Sequence, residues 1–116
     1  MFQRKCVVLI YHRVKDLEVD TQMLAVSPNH FEKQIEYLKA NYKILSLQEL
    51  ISCLNKKRIP NKSVVITFDD GYADNLHEAA PVLVKYNIPA TIFISSGMID
   101  SNLEFWWDSL EYIFLS

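Results

Sequence analysis

Glycine occurs only twice in the 116 residues, at Gly71 and Gly97. Both follow apolar, strand-like runs, so free backbone turning is confined to those two places. Cysteine is equally scarce. Cys6 and Cys53 lie far apart, with no CxxC and no Cys/His cluster. That excludes a cysteine metal knuckle or a disulfide framework, and the apolar surroundings predict reduced, buried thiols of the cytosolic kind. Basic charge is not concentrated either: the net charge is −2, and the longest Lys/Arg block is Lys56-Lys57-Arg58. Electrostatically driven nucleic-acid binding is thereby excluded. No apolar run approaches the roughly 18 residues of a membrane span. Val7 to Tyr11 is too short for the apolar core of a signal peptide and runs into His12-Arg13, so the expected location is cytoplasmic.

What is present is a globular composition, 50% hydrophobic and 22% charged, in a length that suits one domain with a core. The stretch around which the chain is organised is Val64 to Tyr72, VVITFDDGY. Val64 to Phe68 reads as a buried parallel strand, because it is short, β-branched and barely alternates. Asp69, Asp70 and Gly71 follow it at once. Two carboxylates side by side resist joint ionisation unless a cation, a proton or solvent separates their roles. At the C-terminal edge of a parallel sheet they mark a candidate site, since α/β proteins place their chemistry there.

The rest of the chain repeats a βα pattern. Cys6 to Tyr11 (CVVLIY) is a first strand, apolar enough to be buried on both faces. Lys15 to Val26 is a polar loop. Ser27-Pro28 starts a helix with an N-cap serine and a proline in the first turn, and Phe31, Ile35 and Leu38 give it one apolar stripe to about Asn41. Tyr42 to Leu45 is a short strand. Ser46 and Glu49 form a capping box, and Leu47, Leu50, Ile51 and Leu54 stripe a second helix that ends near Lys57. A turn at Ile59 to Lys62 leads into the central strand. Ala73 to Asn87 is helical, with Pro81 starting or kinking its main part. Ala90 to Ile94 is a fourth strand, closed by Ser95-Ser96-Gly97, and Leu103 to Leu115 is an aromatic-rich helix. The fold class is therefore α/β, built of parallel βα units. A closed (β/α) barrel needs roughly 200 residues or more. With apolar residues running to Leu115 and no stop signal, the chain reads as the N-terminal part of a larger domain, or as one that buries its end against a partner.

Asp69 and Asp70 can divide the work of metal-assisted hydrolysis, one holding a divalent cation and the other taking a proton from water. The plain alternative is a helix cap beside a solvated carboxylate. His12 follows a strand end on the same edge and could line a substrate groove, or simply satisfy local backbone. Tyr72 flanks the acids, as a site residue or an ordinary packed ring. Trp106 and Trp107 could stack on sugar rings, although packing is the simpler role. His77 and His30 read as ordinary helical residues.

TFDDGY at Thr67 to Tyr72 resembles the first motif of the polysaccharide deacetylases, the NodB-like group or carbohydrate esterase family four. The similarity continues through VLIYHRV at Val8 to Val14, FEKQIEYLKANY at Phe31 to Tyr42, ILSLQELI at Ile44 to Ile51 and AAPVLVKYNIPATIFISSG at Ala79 to Gly97. The resemblance implies the N-terminal part of a distorted (β/α) barrel. It also implies hydrolytic removal of acetyl groups from an acetylated carbohydrate, commonly N-acetylglucosamine polymers, with a divalent metal, commonly zinc. By the same resemblance Asp69 is the general base and Asp70 a metal ligand; His12 and Tyr72 are candidates for the substrate side only by their place on the same edge.

One departure matters. The family's H-[ST]-x-x-H motif supplies two further ligands, and the three histidines here, His12, His30 and His77, are not so spaced. A catalytic zinc takes several protein ligands, usually three, plus water. The stretch by itself is therefore expected to be inactive, its other ligands lying outside it. The rival is a non-catalytic carbohydrate- or partner-binding fragment of the same ancestry. A phospho-acceptor receiver is disfavoured because its paired acids should end the first strand, which here ends in Tyr11-His12. A haloacid-dehalogenase-type phosphatase is disfavoured because FDDGY lacks a D-x-D spacing.

Overall fold

The structure, a computed structural model, describes residues 4–115. Met1 to Gln3, the first residues of the N-terminal segment considered for a signal peptide, lie outside the described residues, as does Ser116. The centre of the sheet is β5 (Ser63–Phe68), in which every residue is buried. On one edge it pairs along its whole length with β1 (Cys6–Tyr11), from Cys6↔Ser63 to Tyr11↔Phe68. On the other edge it pairs first with β4 (Lys43–Leu45) through Ser63 to Val65, then with β6 (Thr91–Ile92) through Thr67 and Phe68. All of these pairings are parallel, as the βα spacing predicts. Among the described residues the sheet is open, not a closed barrel.

The two faces of β5 are covered by different helices. Ile66 and Phe68 point towards α1 (Pro28–Asn41) and α3 (Ala80–Tyr86), where Phe31, Ile35 and Leu83, with Ala79 just before α3, complete the larger core. Phe31 lies edge-on to Tyr11 with centroids 5.1 Å apart, and Tyr11 stacks on Phe68 at 5.4 Å. Val65 points the other way, towards Leu45 and Leu50 on α2 (Leu47–Asn55). Cys6 and Cys53 belong to this second cluster and are free and half-buried, less enclosed than the sequence predicts.

Both helix starts follow the sequence signals. The Ser27 hydroxyl accepts from the His30 N–H, with Pro28 in the first turn. Ser46 and Glu49 satisfy each other's backbone N–H groups at 3.2 and 2.7 Å. The buried stripe of α2 differs from the expected one. Leu47, Leu50 and Cys53 meet the sheet, while Ile51 and Leu54 are exposed, because only a narrow line of the helix reaches Leu45 and Val65.

Other differences have local causes. β1 is not buried on both faces: Val7, Val8 and Ile10 are exposed, since its outer edge is unpaired and α2 does not extend over it among the described residues. The expected loop from Lys15 to Val26 contains a short strand β3 (Ala25–Val26). It pairs in parallel with β2 (Arg13–Val14), and the Asp20 carboxylate secures the turn by accepting from the Leu24 and Ala25 N–H groups, each at 3.0 Å. The helical stretch after the aspartates opens with a π-helical segment at Asn75–Ala79 before α3 begins. Pro81 explains the wide turn, because it has no N–H to donate to residue 77. The fourth strand shrinks to Thr91–Ile92, since β5 ends at Phe68 and leaves little ladder to extend. Gly97 sits in a 3-10 turn at Ser96–Met98 without a left-handed φ. The last helix, α4 (Trp106–Leu115), starts three residues later than expected. Among the described residues no helix is long and apolar enough to cross a membrane.

Candidate active site

The strand end that carries Asp69 and Asp70 is fixed by backbone on both sides. The Asp69 N–H donates to the Tyr11 carbonyl at 2.9 Å, which closes the β1–β5 ladder at Tyr11↔Phe68; His12 and Asp69 are the next residues on these two adjacent strands. On the opposite side the Phe93 N–H donates to the Phe68 carbonyl at 2.8 Å, and the Ser95 N–H to the Asp70 carbonyl at 3.4 Å. Between these supports the chain turns through two consecutive left-handed residues, Asp70 at φ 72° and Gly71 at φ 73°. Glycine takes that conformation freely, whereas an aspartate does so at a cost. A strained non-glycine residue that is itself the candidate metal ligand is the kind of outlier that clusters at functional sites.

The turn separates the two half-buried carboxylates. Asp70 lines a cleft of about 740 Å³ at the C-terminal edge of the sheet, and Asp69 does not. Arg13, Tyr72, Ile94, Phe105 and Asp108 share the cleft with Asp70. Tyr72 is its best-connected wall. Its hydroxyl donates to Asp108 Oδ2 at 2.9 Å and accepts from Trp107 Nε1 at 2.8 Å. Phe105 lies 5.2 Å from the Tyr72 ring and stacks on Trp107 at 4.6 Å. Burial and the Asp108 carboxylate push the Tyr72 phenol up to about 12, so it remains a neutral donor at any physiological pH.

Beneath the cleft a second set of polar groups joins the two loops that leave β1 and β5. Asp74 and Asn75 are both buried. Asp74 Oδ1 accepts the Val14 N–H at 2.9 Å, and Oδ2 accepts Arg13 Nε at 3.1 Å. Arg13 lies with Cζ 4.4 Å from the centroid of the Tyr72 ring, a cation–π distance. Asn75 Nδ2 donates to the His12 carbonyl at 2.9 Å and to Asp74 Oδ1 at 3.3 Å. Asn75 Oδ1 is buried and has no hydrogen-bond partner among the described residues.

The structure thus brings His12, Asp69, Asp70 and Tyr72 to one edge. His77 is exposed on the π-helical segment and His30 is exposed at the start of α1, away from it. Trp106 is exposed, and Trp107 is held against Phe105 and Tyr72, so the packing role fits Trp107. Arg13, Asp74, Asn75 and Asp108 went unrecognised in the sequence. The one available signal was the pair of short polar residues, Asp74-Asn75, one turn after the motif where a helix begins. Among the described residues no three His, Cys, Asp or Glu side chains converge as metal ligands. Asp70 can offer a carboxylate, but these residues do not by themselves form a metal centre.

Comparison with known proteins agrees with the motif. The polysaccharide deacetylase family description matches residues 56–114. YxkH of Bacillus subtilis is 39% identical over 92 residues, covering 78% of this chain and 32% of that protein. The poly-β-1,6-N-acetyl-D-glucosamine N-deacetylase of Staphylococcus aureus is 34% identical over 110 residues, covering 84% of this chain and 38% of that protein. The structure of IcaB from Ammonifex degensii superimposes with a TM-score of 0.73 at 33% identity, covering 85% of this chain and 42% of that one. The chain therefore spans about a third of the length of these two curated relatives. With the family profile, the fold and the TFDDGY edge in agreement, the chain belongs to the polysaccharide deacetylase family.

Proposed function

We propose that this chain forms part of a hydrolase that removes acetyl groups from an N-acetylated polysaccharide, cleaving a non-peptide C–N bond. The carrying observation is the strand end at which Asp69, Asp70 and the register-adjacent His12 meet one edge of the sheet. Family membership and the aromatic-walled cleft support it. In the reaction a water oxygen bonds to the acetyl carbonyl carbon, the C–N bond breaks, and acetate and a free amine leave.

Asp69 is assigned as general base, accepting the proton of the attacking water at a carboxylate oxygen. Its main chain is pinned to Tyr11, which limits where that oxygen can lie. Asp70 is assigned as one ligand of a divalent metal, with zinc as our reading. The described residues do not complete a metal site, so Asp70 supplies at most one of its ligands. His12 is assigned to the substrate groove beside Asp69. Tyr72, held neutral, forms the wall on which an acetylated sugar packs its apolar face.

The test uses the full natural protein with β-1,6- and β-1,4-linked N-acetylglucosamine oligosaccharides. Acetate release and new free amine are measured with added zinc, after chelation, and in Asp69→Asn and Asp70→Asn. We expect turnover by the metal-supplied parent, and its loss in both variants and after chelation. Oligosaccharide binding that ignores metal and chelator, with no acetate released, would instead favour a carbohydrate-binding role.

A further inference from the structure

We infer that Asp74 and Asn75 are positioning residues that lock the loop after β1 onto the loop after β5 and so hold His12 beside Asp69 and Tyr72 against the cleft. The inference rests on the deacetylase reading for its kinetic consequence, and on hydrogen bonds alone for its structural one.

Three consecutive residues, His12, Arg13 and Val14, are each bound by one of two consecutive residues, Asp74 and Asn75. The partners are about sixty residues apart in sequence, from 60 for Val14–Asp74 to 63 for His12–Asn75. Asp74 spends both carboxylate oxygens on this task and is 8% exposed, so it is not available to substrate. Asn75 is 2% exposed, and its amide NH2 reaches the carbonyl of the histidine itself.

Each bond has a consequence at the edge. The Asn75–His12 contact fixes the backbone from which the imidazole extends. The Asp74–Arg13 pair orients the guanidinium over the Tyr72 ring, and Tyr72 in turn holds Asp108 and Trp107. The Asp74–Val14 contact satisfies the N–H of a fully buried residue of the β2–β3 pair. Neither side chain faces the reaction, yet both constrain groups that do. Catalytic groups misplaced by about 1 Å can lose on the order of a hundredfold in rate.

The experiment compares the full natural protein with Asp74→Asn, Asn75→Ala and Leu83→Ala. Leu83 belongs to the α3 core and makes none of the clamp's hydrogen bonds, so its variant controls for lost stability. Asp74→Asn keeps an acceptor for Val14 but removes the charge that holds Arg13. All proteins are assayed well below their Tm, and the His12 imidazole is followed by NMR. We expect kcat to fall at least about tenfold in both clamp variants with KM within about twofold, and kcat to hold in Leu83→Ala. The His12 resonances should move in the clamp variants and stay in Leu83→Ala. Equal kcat losses in all three variants, or an unmoved His12 in Asn75→Ala, would overturn the inference. If the parent released no acetate from any substrate, the deacetylase reading would fail, and the His12 resonances would still decide the clamp.

Discussion

Asp74 Oδ1 accepts the backbone N–H of Val14 at 2.9 Å, across 60 residues of sequence, with both residues buried. No water competes for that N–H, so its partner cannot be removed cheaply. Asp74→Ala should cost about 1–3 kcal/mol from the stranded donor, with a smaller loss from the released Arg13. Asp74→Asn, which can still accept from Val14, should cost less. Denaturant unfolding of the full natural protein measures both, and equal losses would show that the Val14 contact carries little of the stability.

Gly71 is required for two separable reasons. Its φ is 73°, and a Cβ there would come within 2.8 Å of Ile94 Cγ2 and 3.2 Å of Ile94 Cα. Gly71→Ala should therefore lose about 1–2 kcal/mol from the left-handed backbone alone, and more from the crowding against Ile94. Adding Ile94→Ala removes the clashing methyl group, but it changes neither the close approach of the residue 94 backbone nor the φ. The double variant should thus recover only part of the loss in Tm. Complete recovery would mean that the backbone strain is negligible.

Much of this was legible in the sequence, for reasons that differ by element. The starts of α1 and α2 were readable because Ser27-Pro28 and Ser46…Glu49 satisfy helix-end donors through local contacts alone. β5 was readable because a strand covered on both faces needs no alternation, and Val64 to Phe68 show none. The same rule misled for β1, whose apolar run lacks cover among the described residues. Asp69 and Asp70 stood out by chemistry. Asp74 and Asn75 did not, because a short polar pair at a helix start reads as a solvated cap, and only the tertiary fold buries it. The left-handed Asp70 was equally invisible, since it is imposed by Tyr11 on one side and Ser95 on the other.

The core on the α1 side hinges on three rings. Phe31 is fully buried, 5.1 Å from Tyr11 and 5.9 Å from Phe68. Phe31→Ala should cost about 3–5 kcal/mol, because it leaves a cavity between α1 and β5 that neither stiff neighbour can fill. Phe31→Leu should cost distinctly less. Unfolding curves that rank the two variants in the opposite order would contradict this packing.

The alkaline stability of the protein should report on Tyr72. Its phenol is raised from 10.0 to about 12 by burial first and by Asp108 second, against a lowering contribution from the Trp107 N–H. A raised folded-state value means that the folded protein keeps this proton after the unfolded chain has lost it. The stabilisation is therefore fully present below about pH 10 and declines as the pH rises towards 12. Tyr72→Phe removes the titration and should flatten that part of the stability–pH curve. At neutral pH the same variant should lose about 1 kcal/mol, since Trp107 Nε1 and Asp108 Oδ2 both forfeit a partner. Urea midpoints measured from pH 7 to 11 for the parent and Tyr72→Phe make the comparison. Parallel curves across the whole range would show that Tyr72 is not held above its ordinary value.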